Sequence, residues 1–313
     1  MVRISIKSLI YKTIQQFCMF LNPEEIEKKV RVLRRNLKNP GISEELRGYA
    51  WDTPPVEPIN DVKISVSDLN GFCPSRRDIY LKYVLGEKPK VNVYMLRGLA
   101  YHRVIRDTIA LIKKAVYNGC ETGEEIIEKF YRSELPEKVC SELGIEDEKI
   151  RENCFRLYRM LVIQAAARID DVSSKYSGDL AELAFPSFIE RKVNGSPVGL
   201  SSNLSLDVFT PYSVIMDFKS GVERYEHRLS LTGYALAVEA EDEADVDFGV
   251  LVYLRFGKGV KFLQKEFVFS DELRREFLEV RDEIAEIVDS GVDPGKPVEC
   301  PKFCSFYEVC NGE

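Results

Sequence analysis

Residues 204–219 read LSLDVFTPYSVIMDFK. The runs LSLDVF and SVIMDF flank Thr210-Pro211-Tyr212, and apolar runs of this length around turn residues predict two neighbouring strands. Asp207 lies near the end of the first strand, and the second ends in Asp217-Phe218-Lys219. Side chains alternate along a strand, so Asp217 and Lys219 share one face while Phe218 points into the opposite layer. If the strands pair through the short turn, Asp207 lies beside Asp217. Adjacent carboxylates repel unless a cation sits between them, and hard oxygen donors suit magnesium or manganese. Two acids and an amine around such an ion can polarise a phosphodiester and hold or deprotonate the attacking water. The competing reading is two aspartates solvating a sheet edge, with Lys219 paired to one of them.

Working outward, LAFPSFIERKV followed by Asn194-Gly195 adds a preceding strand and a hairpin signal, making three consecutive strands after Gly178. A helix is predicted at about 226–241, then strands at 246–256 and 260–269 turning over at Gly257-Lys258-Gly259. The order predicts an α/β core with a mixed sheet flanked by helices. A last helix, about 271–289, carries Leu273, Phe277, Val280, Ile284 and Ile287 or Val288 on one stripe, and its acidic face is a candidate docking surface. Upstream, residues 67–85 read as two helices sharing a corner at Pro74, and Arg97–Tyr117 as an amphipathic helix ending at Asn118-Gly119. Helices at about 123–133 and 147–170 form an all-helical insert spanning about 120–175. Asn22-Pro23-Glu24-Glu25 opens a helix over about 23–38, and WDTPPVEPIN, residues 51–60, reads as an extended connection. The expected division is therefore a helical extension and connection (1–60), a core (61–270) and a C-terminal helix with a cysteine-rich tail (271–313).

Composition narrows the class. The chain has 313 residues, 45% hydrophobic, enough for a sizeable core, with a net charge of −7 that argues against a general polyanion coat. Residues 61–120 nevertheless carry 11 Lys+Arg against 5 Asp+Glu, a local +6 that leaves −13 for the remainder. Arg76, Arg77, Arg97 and Arg103 lie in this stretch and are candidate phosphate contacts, with Lys82, Lys88, Lys90 and Arg106 nearby. Tyr80, Tyr83, Tyr94 and Tyr101 are interspersed and could stack unpaired bases, which favours a single strand or frayed end over duplex readout. No run is long and apolar enough for a membrane span, and MVRISIKSLIYKTIQQF lacks the pattern of a secretion signal, so the expectation is a cytoplasmic protein with reduced cysteines. Charged residues at 30% and only four glutamines lean towards a thermophile.

Gly98-Leu99-Ala100-Tyr101-His102 opens the long helix, and His102 is one of two histidines. A G-x3-H on a helix, then an aspartate at a strand end, then D-x-K resembles the RecB-like branch of the PD-(D/E)xK nucleases. The resemblance implies a divalent metal held by His102, Asp207, Asp217 and the Phe218 carbonyl, with Lys219 beside the water. Family members continue with Gln-x-x-x-Tyr on a helix. Here the corresponding residues are Ser230 and Tyr234, so the tyrosine is kept and the glutamine is not. His227, at a charged helix start, reads as structural.

Near the C-terminus Cys300, Cys304 and Cys310 form C-x3-C-x5-C. Cys73, which like Cys300 precedes a proline, is the best fourth ligand, and four thiolates suit an iron–sulphur cluster or a structural zinc. Cys18, Cys120, Cys140 and Cys154 read as buried hydrophobes. One cysteine before the nuclease motifs and three after them, with CPSRRDIYL and RGYAWDTPPVEP, resembles the CRISPR-associated RecB-like iron–sulphur nucleases of the Cas-four type, most of all the archaeal Csa-one subfamily. That resemblance implies a metal-dependent DNA exonuclease acting on single-stranded ends and preparing spacer precursors in CRISPR adaptation, alongside the integrase subunits. It also implies a 4Fe–4S cluster, with 2Fe–2S and zinc as alternatives. A catalytically weak DNA-binding scaffold and a recombinational repair nuclease are the competing functions. Joining Cys73 to Cys300 closes a loop of over two hundred residues, so the cluster is expected to be structural, and its loss to unfold the edge that presents Arg76 and Arg77.

Overall fold

The computed structural model describes residues 23–36, 41–185, 188–210 and 212–312; Cys18 lies outside them. Along the chain come α1 (Pro23–Asn36), 3-10 turns at Glu44–Leu46, Gly48–Ala50 and Val66–Asn70, then α2 (Arg77–Tyr83), α3 (Val93–Tyr117), α4 (Gly123–Phe130), α5 (Leu135–Glu142), α6 (Glu148–Lys175) and α7 (Leu180–Ala184). There follow β1 (Phe188–Val193), β2 (Leu204–Phe209), β3 (Val214–Lys219), α8 (Glu226–Asp242), β4 (Phe248–Phe256), β5 (Val260–Val268), α9 (Asp271–Ser290) and α10 (Tyr307–Asn311). Among the described residues no helix is long and apolar enough to cross a membrane.

The five strands form one mixed sheet in the order β1-β2-β3-β4-β5. Neighbours are antiparallel except β3 and β4, whose parallel pairing follows from the helical crossover α8 between them. Each face buries its own apolar cluster. Met216, Phe218, Val250 and Val252 pack with Val104, Ile109, Leu157 and Leu161 of α3 and α6. Ile215, Leu251 and Tyr253 pack with Leu231, Leu236, Phe277 and Ile284 of α8 and α9. The alternation expected of VIMDFK is thus present: Phe218 anchors the end of β3 in the α3 layer, a burial worth roughly 1.5–3 kcal/mol.

Several sequence expectations need correction. The long helix starts at Val93 rather than Arg97, because the Asn92 side chain accepts hydrogen bonds from the Tyr94 and Met95 amides, both at 3.0 Å. LAFPSFIERKV is helical up to Ala184 before β1 begins, and the insert also holds α5, whose eight residues are too short to show a clear period. Asn194-Gly195 does not make a two-residue turn. The chain instead runs through a 3-10 turn at Ser196–Val198, and Leu200 bridges Ile64 before β2 starts.

Residues 51–60 hold no helix or strand, as three prolines dictate, but they are folded turns rather than an extended connection. Val56 is fully buried, and the Arg281 guanidinium donates to the carbonyls of Val56 at 2.6 Å and Glu57 at 3.2 Å. The preceding turn is just as tightly seated. A β-carbon at Gly48 would lie 1.9 Å from the Leu236 carbonyl oxygen, so only glycine lets this backbone rest on α8.

Candidate active site

The β2–β3 register pairs Val208 with Met216 and Phe209 with Ile215, and one step further along it Asp207 faces Asp217. The two carboxyl groups lie close enough to perturb each other's ionisation. The Phe218 amide, at the end of the ladder, donates to Asp207 Oδ2 at 2.8 Å, which fixes that carboxylate against β3. His102 comes from the opposite side on α3, its Nδ1 3.1 Å from Asp207 Oδ1. Lys219 Nζ lies 2.5 Å from Asp217 Oδ2. Residues 102, 207, 217 and 219 are therefore brought together, 117 positions apart at their extremes.

The electrostatics follow from crowding. Burial pushes the Asp217 carboxyl up; Lys219 opposes the shift and Asp207 adds to it, leaving Asp217 at about 6. Burial would do the same to Asp207, but the charge and hydrogen bond of His102, with neighbouring Asp217 and the bond from the Phe218 amide, bring it below the usual carboxylate range. Burial disfavours charge on His102, yet Asp207 and Asp217 together raise it to about 9. Two acids at this separation thus retain positive partners: a shared proton, an imidazolium and an ammonium.

Tyr234, on α8, is half-buried, and its hydroxyl is held well above the usual phenol range by burial and by the charges of Asp217, Asp207 and Glu190. Glu190 of β1, in a left-handed backbone conformation at φ 54°, is an acid beside the cluster that sequence reading did not single out. Only the strand order, which puts β1 next to β2, reveals it. Ser230, one turn before Tyr234, is buried and donates to the Val66 carbonyl at 3.2 Å, so it belongs to the packing of α8. His227 is structural, as expected: it is buried with Nδ1 2.9 Å from the Tyr253 hydroxyl, and burial, then the charges of Lys219 and Arg224, drop it to about 4.

The arginines are less free than their numbers suggest. Arg77 clasps Asp293 through Nε and Nη2 at 2.9 and 2.8 Å, Arg103 is paired with Glu142 and Asp107, and Arg76 donates to the Asp68 carbonyl at 3.3 Å. Lys82 is held by Asp68 at 2.6 Å, Lys90 by Glu308 and Arg106 by Asp107. Arg97 has a buried Nε without a hydrogen-bond partner. Among the tyrosines, Tyr101 is buried with its hydroxyl accepting from Asn153, and Tyr83 donates to Asp68, which removes both as stacking surfaces. Tyr94 is exposed.

Of the four cysteines singled out above, Cys304 and Cys310 each lie within electrostatic reach of Cys73 and Cys300. Burial raises Cys304 to about 11, and Cys300, Asp78 and Cys73 add to the shift; Cys310 is raised by burial and feels Cys300 and Cys73. The tail is tied back onto the Cys73 corner by the Arg77–Asp293 pair and by the Ser75 hydroxyl donating to the Gly295 carbonyl at 2.7 Å. Cys140 and Cys154 are fully buried and contact each other, and Cys120 is half-buried. Among the described residues no three His, Cys, Asp or Glu side chains form a ready-made metal-binding group.

An α/β protein with a mixed sheet, carrying paired acids, a lysine and a histidine at the end of adjacent strands, is of a class compatible with nucleases. Residues 19–313 match the profile of the CRISPR-associated exonuclease Csa1 family, and the chain belongs to that family. It is 34% identical to a CRISPR-associated exonuclease Csa1 of Saccharolobus solfataricus, over 91% of this chain and 96% of that protein. It is 31% identical to the protein of the same description from Thermoproteus tenax, over 90% and 96% respectively.

Proposed function

We propose that this chain is a metal-dependent deoxyribonuclease that trims single-stranded or frayed DNA ends in CRISPR adaptation, preparing spacer precursors alongside integrase subunits. The observation that carries the reading is the meeting of His102 with Asp207 at 3.1 Å and Lys219 with Asp217 at 2.5 Å where β2 and β3 pair. The description of both relatives as exonucleases supports it. On this reading the sheet and its flanking helices are a PD-(D/E)xK core.

The donor set fits a hard divalent cation, because paired carboxyl groups, one of them protonated up to about pH 6, call for positive charge between them. His102, Asp207, Asp217 and the Phe218 carbonyl would hold manganese or magnesium, which when bound supplies Lewis acidity towards the scissile phosphate and its water. Lys219 presents an ammonium beside the same acids, where it neutralises phosphate charge and orients a water. The Phe218 amide holds Asp207 in place, and the Tyr234 hydroxyl, kept protonated by burial and by the acids around it, can donate a hydrogen bond to phosphate. Cys73, Cys300, Cys304 and Cys310 fit a thiolate-held group, 4Fe–4S first, with 2Fe–2S or zinc as alternatives, joining the α2 corner to the tail.

One observation favours the scaffold alternative. Ser230 is turned into the fold towards Val66, so at this position α8 does not offer the site a side chain. End-labelled single-stranded DNA with manganese separates the two. Asp217→Asn is expected to slow cleavage by about a hundred- to a thousandfold, the scale of losing one charge-stabilising group. Equal background cleavage from both proteins would leave the scaffold.

A further inference from the structure

Phe72, Tyr94 and Phe303 stand exposed together where α3 begins, at 52%, 54% and 45% of their full accessibility. The Phe303 ring lies edge-on to the other two, with centroids 5.1 Å from Phe72 and 6.2 Å from Tyr94. The three come from distant segments: Phe72 precedes Cys73, Phe303 precedes Cys304, and Tyr94 is in the first turn of α3. Their arrangement is held by backbone contacts. Asn92 Nδ2 donates to the Phe303 carbonyl at 3.1 Å, and the Lys90 amide donates to the Ser305 carbonyl at 2.9 Å.

Cations surround the rings. The Arg224 guanidinium sits 3.9 Å from the Phe72 centroid, fixed by the Asn70 carbonyl at 2.9 Å and by Glu226 at 3.3 Å. Arg97 lies 5.4 Å from the Tyr94 centroid and, like Lys302 beside Phe303, makes no ion pair among the described residues. Exposed rings in a cluster mark a binding surface, and unpaired cations around them call for an anionic partner with flat apolar faces. An unpaired nucleotide strand has both, whereas a duplex hides its base faces.

The surface is continuous with the cluster at the sheet. Tyr94 is eight residues before His102 on one helix, or about 12 Å at ~1.5 Å per residue. Between them α3 passes the residue after Lys219, since a β-carbon at Gly98 would lie 3.6 Å from Ser220 Oγ. We propose that Phe72, Tyr94 and Phe303 form a stacking platform for the bases of a single strand, with Arg97 and Lys302 drawing its phosphates. The platform rests on the nuclease reading and adds where the strand is gripped before it reaches the acids.

The test is fluorescence anisotropy of the full chain with a labelled oligo-thymidylate and with the same backbone lacking bases, in chelator so that nothing is cut. Phe303→Ala and Tyr94→Ala should each weaken binding of the base-bearing strand by about tenfold, and Phe303→Trp should restore it. The abasic strand should bind wild type and variants equally weakly. Unchanged affinity in the alanine variants overturns the platform, as does an abasic strand that binds as tightly as the base-bearing one, a result that would assign this face to phosphates alone or to a protein. If those results came with cleavage that Asp217→Asn abolishes, the platform alone would fail; a wild-type chain that neither binds nor cuts ends both readings.

Discussion

Glu239 is fully buried in α8 and accepts five hydrogen bonds: two from Arg274 at 2.7 and 2.8 Å, one from Arg47 at 2.8 Å, and those of the Gly48 and Val246 amides at 2.8 and 3.0 Å. Glu239→Gln keeps the shape but removes the anion and points an amide donor at guanidinium donors. Arg47 retains Asp247 at 2.6 Å, while Arg274, itself fully buried, keeps only the carbonyls of Phe269, Leu46 and Val246. Hydrogen bonds to charged groups contribute about 1.5–3 kcal/mol each, but a simple sum over five overstates the loss because the five share one carboxylate and Arg47 keeps Asp247. The stranded Arg274 charge sets the scale, and the expected loss is about 3–5 kcal/mol. Urea unfolding followed by circular dichroism reads it directly. The same argument requires that Glu239→Leu combined with Arg274→Met cost less than the sum of the two single changes, since the pair removes the unpaired charge. A single variant that loses less than about 1 kcal/mol, or a pair no better than the sum of its singles, would falsify the account.

Two further outcomes are expected. His227 is held near 4 in the folded chain against an ordinary 6.5, so protons bind the unfolded state more tightly and stability is lost as pH falls from about 6.5 towards 4. At ~1.4 kcal/mol per unit the loss approaches about 3 kcal/mol, and His227→Gln should flatten that part of the urea-midpoint profile; an unchanged slope would contradict the assignment. Cys304→Ser should remove bound metal from anaerobically purified protein and lower the melting temperature. A brown wild-type sample with iron and sulphide supports the cluster, a colourless zinc-loaded one transfers the role to zinc, and a metal-free wild type that melts with the variant refutes both.

The strands around Asp207 and Asp217 were legible because their apolar runs are short, punctuated and alternating. Two acids facing each other across one turn then follow from pairing alone. His102 reached the site only through the family pattern, since nothing in a helix shows which strand it will meet. The C-terminal helix keeps its expected span and apolar stripe but buries more than that stripe. Its buried stripe runs through Arg274 and Arg281, which periodicity assigns to water but which here satisfy Glu239 and the carbonyls around Val56. Buried arginines are invisible until their acceptors are placed, and the acceptors lie in a proline-rich segment whose sequence suggests only irregularity. The local excess of basic residues is likewise partly balanced by carboxylates that come from elsewhere, Asp293 and Glu142 among them.

His102 is delivered by the α3 layer and Tyr234 by the α8 layer, with the acids on the sheet between them. Neither half of the molecule holds the whole constellation. A polypeptide packed on one side only would carry disconnected fragments of this cluster. The constellation is complete only when both helical layers have packed onto the sheet.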